Sequence, residues 1–122
     1  MSPHLRRNWL EIEQIGQATV AKFTTPHILE EEKIQAIGRQ LLRLGQEAGR
    51  GSVVLNFATV ERLSSEMLGK LLAFHRQVRA CGGRLALCAI RPELYQIFRM
   101  LKLPQVLTIF ADEQEALQRV ES

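Results

Sequence analysis

Ser64 and Ser65 are the residues whose type and position most invite chemistry. They stand side by side ahead of an apolar series, Met67, Leu71, Phe74 and Val78, that recurs at helical spacing. A serine hydroxyl at a helix start can accept a hydrogen bond from an orphan backbone N–H, which contributes about 1 kcal/mol. It can also carry a phosphoryl group, because the free N–H groups and the helix dipole both favour negative charge there. The two uses coexist if Ser64 caps the helix and Ser65 is modified. A hydrolytic nucleophile would need a Gly-x-Ser-x-Gly elbow, and neither serine sits in one.

Other candidates point away from catalysis. Gly69-Lys70 is followed by Leu71 where a phosphate-binding loop needs Ser or Thr. Cys81 and Cys88 form no Cys-x-x-Cys pair, so zinc and dithiol redox chemistry have no framework. Both read as free, buried thiols behaving as small hydrophobes, which fits a reducing cytoplasm. His4, His27 and His75 are too scattered for a metal site, and His75 reads as a surface or hydrogen-bonded histidine. Glu30, Glu31 and Glu32 read as a solvated helix start. No catalytic residue, metal or cofactor is implied.

The elements that must position these residues follow from periodicity. Trp9 to Glu13 alternates as a half-exposed strand, Gly16 offers a turn, and Thr19 to Phe23 reads as its hairpin partner. Thr24, Thr25 and Pro26 interrupt it. Ile34, Ile37, Leu41 and Leu44 predict a helix, with Gly45, Gly49 and Gly51 ending it. Val53 to Leu55 reads as a strand buried on both faces. A loop from Ala58 to Leu63 leads into the second helix, whose stripe also takes in Cys81 and which Gly82-Gly83 stops. Leu85 to Ala89 is a further buried strand. Pro92 opens a third helix with Leu94, Ile97, Phe98 and Leu101 as its apolar side. Val106 to Phe110 is a last strand, and Asp112 with Glu115 makes a reciprocal cap for a C-terminal helix. The order ββαβαβαβα predicts a single α/β domain over 9–120, behind a flexible arm at 1–8. Its mixed, mostly parallel sheet carries an N-terminal hairpin and about four helices. In such sheets functional sites gather on the loops leaving the carboxyl ends of the strands.

Composition bounds the class. The 122 residues are 46% hydrophobic and 24% charged, enough apolar material for one core without disulfides or metal. Lys and Arg number 16 against 13 Asp and Glu. That small surplus is spread along the chain, with no aromatic-basic interleaving, so direct nucleic-acid binding is not expected. The longest uncharged run, residues 51–60, is half the length of a membrane span. Arg6 and Arg7 are followed by Glu11 and Glu13 rather than by the apolar stretch of a secretory signal.

The run Val53-Val54-Leu55-Asn56-Phe57, the corner Leu63-Ser64-Ser65, Leu68-Gly69, Gly82-Gly83-Arg84-Leu85 and Arg91-Pro92-Glu93 together resemble the STAS domain. That is the module of bacterial anti-sigma factor antagonists and of sulfate transporter tails. The resemblance runs from about Trp9 to Val120 and is strongest between Ser52 and Leu103. It implies a cytoplasmic, non-enzymatic switch that binds an anti-sigma factor, often itself a serine kinase. That kinase phosphorylates a serine at the start of the second helix, and a serine phosphatase resets it. Aligned on Leu68-Gly69, the phosphoacceptor falls on Ser65, with Ser64 as the alternative. The implied contact surface is the loop from Thr24 and Thr25 to Glu30, then Asn56, Ser64, Ser65, Glu66, Gly69 and Lys70. The chain departs from the family pattern in having Ser64 for the usual Asp, and Glu66-Met67 where Ser or Thr and then Gly are common. Glu66 would repel a phosphate beside it, and Met67 would obstruct a partner's approach to the backbone. These departures suit a second expectation, a non-phosphorylated scaffold or regulatory subunit of a larger signalling or transport complex.

Overall fold

The structure, a computed structural model, describes residues 9–121; the arm expected at 1–8, with His4, lies outside them. The strands are β1 (Leu10–Ile15), β2 (Ala18–Phe23), β3 (His27–Ile28), β4 (Ser52–Asn56), β5 (Arg62–Leu63), β6 (Arg84–Cys88) and β7 (Thr108–Phe110). The helices are α1 (Glu31–Ala48), α2 (Ser65–Ala80), α3 (Pro92–Met100) and α4 (Glu113–Glu121). Five strands form the main sheet in the order β1-β2-β4-β6-β7. β1 lies antiparallel to β2 at one edge, and every other pairing in the main sheet is parallel.

Alternation along the central strands divides the core in two. Val53, Leu55, Leu85 and Leu87 join Ile34, Ile37, Leu41, Leu71, Leu94 and Phe98, so α1, α2 and α3 cover one face. Val54, Ala86 and Cys88 join Ala116 and Leu117 of α4 on the other. A strand with helices on both faces has no polar side to show, which is why β4 and β6 read as unbroken apolar runs. The predicted cap of α4 is present. Asp112 Oδ1 accepts from the Glu115 N–H at 2.8 Å, and Glu115 Oε1 accepts from the Ala111 N–H at 3.1 Å.

Several expectations are corrected. Gly45 does not end α1; the helix continues to Ala48. A side chain at Gly45 would begin 2.9 Å from Gln77 Nε2 and 3.0 Å from the Phe74 ring, so the glycine serves the close approach of α1 to α2. The end of α2 is as expected, with Gly82 at φ 83°. Ile97 and Leu101 are 45% and 55% exposed, and only Leu94 and Phe98 of the expected apolar side enter the core. The last strand starts at Thr108, because Leu103–Gln105 forms a 3-10 turn and Val106 is exposed. Cys81 caps α2 in solvent rather than joining its buried stripe, whereas Cys88 is buried. Burial, with Glu113 and Asp112 nearby, pushes the Cys88 thiol up to about 12, so it stays protonated. His75 is not a surface or hydrogen-bonded histidine: it is buried, and its Nδ1 has no partner.

Candidate functional site

Two loops leaving the carboxyl ends of β2 and β4 are laced together. β3 and β5 pair in parallel, His27 with Arg62 and Ile28 with Leu63. The Pro26 carbonyl accepts from the Glu61 and Arg62 N–H groups at 2.7 and 3.0 Å, and the Ile28 carbonyl accepts from the Ser64 N–H at 3.1 Å. His27 Nε2 meets Glu61 Oε1 at 3.4 Å on the exposed side of this lacing. Lys33 of α1 locks the first loop from within: its Nζ donates to Thr25 Oγ1 and to the His27 carbonyl, each at 3.0 Å, and lies 4.7 Å from the Trp9 ring centre. Two-residue strands carry no periodicity, so this brace left no signal in the sequence.

The brace ends on the serine corner. Ser64 is the N-cap of α2, its Oγ accepting from the Met67 N–H at 3.1 Å. Ser64→Ala should therefore lower stability by about 1 kcal/mol, read as a lower urea midpoint at unchanged m-value. Ser65 is the first residue of α2 and is exposed. Glu66 and Gly69 are exposed beside it, and nothing stands within 4 Å of where a side chain at Gly69 would begin. Ala73 and Arg76 continue this open stripe along α2.

Met67 does not obstruct the stripe. It is fully buried, because the helix phase that exposes Ser65 and Gly69 turns position 67 into the core. Glu66 is held sideways: its Oε2 accepts from Gln35 Nε2 at 3.0 Å, while Gln35 Oε1 accepts from Lys70 Nζ at 3.2 Å. Gln35 thus bridges an acid and a base across α1 and α2, and Lys70 is half-buried.

Thr24 is exposed, while Thr25 and Asn56 are 5% and 6% exposed. Asn56 Nδ2 donates to Glu113 Oε1 at 2.8 Å, and its Oδ1 accepts from the Ala58 N–H at 2.8 Å. Asn56 therefore fastens the loop after β4 to the first turn of α4. Arg91 Nε donates to the Ala58 carbonyl at 3.1 Å and ties the loop after β6 into the same end of the sheet. Of the residues singled out from sequence, Thr24, Ser64, Ser65, Glu66, Gly69 and Lys70 reach the surface to differing degrees, and Thr25 and Asn56 lie beneath it. Among the described residues, no group of three or more His, Cys, Asp or Glu is placed to hold a metal ion. The arrangement presents a hydroxyl on a braced, open face, which is what docking and phosphoryl acceptance require.

The sequence model of the STAS domain matches residues 6–116. The chain belongs to the STAS domain family. An anti-sigma F factor antagonist from Paenibacillus polymyxa is 26% identical over 69 residues, covering 57% of this chain and 59% of that relative. An anti-sigma-factor antagonist (STAS) domain protein from Planctomyces limnophilus superposes with a TM-score of 0.84 at 22% identity, covering 93% of this chain and 98% of the other. The Bacillus cell fate determinant SpoIIAA in its phosphorylated form superposes with a TM-score of 0.67 at 21% identity, covering 91% and 98%. These likenesses establish the STAS fold for the whole described domain. No helix among the described residues is long and apolar enough to cross a membrane.

Proposed function

We propose that this STAS domain is an anti-sigma factor antagonist, a cytoplasmic protein-binding switch set by phosphorylation of Ser65. With a free hydroxyl it sequesters an anti-sigma factor that is also a serine kinase. With phosphoserine it lets go, and a serine phosphatase restores binding. The observation that carries this reading is the placement of Ser65: exposed, at the first residue of α2, one position past a serine already engaged as the cap. An N-terminal phosphate there meets free N–H groups and the positive end of the helix dipole. The names of the Paenibacillus relative and of phosphorylated SpoIIAA support it. The partner surface is Thr24, Ser64, Ser65, Glu66, Gly69 and Lys70, with Thr25 and Asn56 positioning it from below. No catalytic residue, metal or cofactor takes part.

The test is phosphorylation by the anti-sigma factor kinase encoded in the same genome, with ATP, followed by peptide mapping. One phosphate on Ser65 is expected, retained in Ser64→Ala and lost in Ser65→Ala. Labelling of neither serine, while a control substrate is labelled, would leave the second reading, a non-phosphorylated scaffold or regulatory subunit. Glu66 favours that second reading, since it already places a fixed negative charge beside the acceptor.

A further inference from the structure

The outer flank of α3 carries an apolar stripe that no described residue covers. Leu94 and Phe98 turn into the core, while Ile97, Met100 and Leu101 are 45%, 80% and 55% exposed. Spacings of three and four set these three side by side on one flank of the helix. The 3-10 turn that follows buries Leu103 and leaves Val106 half exposed, a fourth apolar side chain beyond the helix end. Exposed apolar residues scattered singly are ordinary, but a run at helical spacing marks a surface made for contact.

Charge is divided along the same stripe. Glu93 lies one turn before Ile97, and Arg99 and Lys102 lie at the other end, all three exposed. Their side chains form no ion pair or hydrogen bond among the described residues. Glu93 and Lys102 stand more than about 10 Å apart along the helix direction, so they do not compensate each other within one chain. Arg91, the cation next to Glu93 in sequence, is engaged elsewhere, its Nε donating to the Ala58 carbonyl at 3.1 Å. The helix thus has an acidic start, an apolar middle and a basic end, with neither charge answered.

We propose that α3 is the interface between two copies of this chain, packed antiparallel about a two-fold axis near Ile97. The same patch then serves both sides, as an isologous contact requires. Ile97 meets its own counterpart, and the Met100 and Leu101 flanks close over it from both directions. Glu93 of each copy comes to the Lys102 end of the other, so acid faces base on both sides of an apolar centre. A partner of a single charge sign would satisfy only one end. An anionic bilayer would in addition press Glu93 into its headgroups. One nine-residue helix and its turn make a small contact beside the roughly 800 Å² per partner of a standard stable complex. The dimer is therefore weak and forms as concentration rises.

The experiment is sedimentation velocity and light scattering of the full chain over a wide range of concentration, with urea midpoints to check that each variant is folded. A monomer that passes to a dimer, and to nothing larger, is expected. E93K and K102E should each weaken the dimer about tenfold by setting like charges together, and E93K/K102E should regain most of that loss, since the reversed charges again meet across the axis. M100E should stay monomeric, because it brings two carboxylates into the apolar centre. A monomer at every concentration, a dimer indifferent to these substitutions, or a double variant no better than the single ones would each overturn the proposal. So would a monomer that cosediments with anionic vesicles through Met100, which would make the stripe a lipid contact. None of these readouts involves Ser65 or an anti-sigma factor.

Discussion

Phosphoserine installed at position 65 is expected to lower affinity for the anti-sigma factor by about 100-fold or more, equivalent to roughly 2.7 kcal/mol. The modification adds a charge of about −1.5 to −2 where the chain presents an exposed hydroxyl beside Glu66. A partner surface shaped for the hydroxyl would have to desolvate that anion without a cation to meet it, at a cost of several kcal/mol. Lys70 cannot readily swing over to compensate, because Gln35 and the packing over Gly38 hold its side chain on α1. The phosphate should not unfold the chain: at the first position of α2 it interacts favourably with the dipole, by about 0.3–1 kcal/mol. Binding measured by calorimetry and stability measured by urea melts should therefore move apart, the first falling steeply and the second holding or rising slightly. S65E should reproduce only part of the loss, since it adds one charge and no tetrahedral group. Undiminished affinity of the phosphoserine form would end the switch reading and leave the scaffold.

F57A is expected to lower stability by about 3–5 kcal/mol. Phe57 is fully buried, with its ring centre 4.8 Å from that of Phe23 and 6.3 Å, edge-on, from that of Phe98. It joins three segments: β2, the loop after β4, and α3. Removing the ring leaves a cavity bounded by two other aromatics on different elements, which restricts collapse. Against a total of about 5–15 kcal/mol for a domain, this loss should bring the melting temperature down by roughly 10–20 °C. The Phe57 N–H also donates to the Cys88 carbonyl at 2.9 Å, so the residue sets the course of the chain from Asn56 towards the serine corner. F57L should recover most of the stability. A loss below about 1 kcal/mol would mean that the aromatic cluster repacks freely.

What could be read in advance follows a physical divide. The central strands were legible because burial on both faces leaves runs such as Val53 to Leu55 no room for polar residues. The helices were legible from spacings of three and four, and the cap of α4 from Asp112 and Glu115. Ser64 and Ser65 were legible as a helix start because capping is a local property. Long-range fit was not legible. Gly45 looked like a terminator because sequence does not show Phe74 and Gln77 pressing on it from another helix. Ile97 and Leu101 fit an amphipathic stripe, but periodicity does not say how wide a face the neighbours cover. The β3–β5 brace consists of pairs too short for any pattern. The seclusion of Asn56 depends on Glu113, 57 residues away. Membership of the STAS family was legible only from several short motifs in order, none of them diagnostic by itself.

The two borders of the main sheet differ in a way that bears on behaviour at high concentration. A bare strand is a template for unwanted polymerisation unless something spoils it. β1, the long border, carries Glu11 and Glu13, both open to solvent, so a second copy lying alongside would set carboxylates against carboxylates. β7, the other border, is only three residues long and offers too few rungs to recruit a neighbour. The architecture thus resists fibrous self-association by charge on one flank and by brevity on the other.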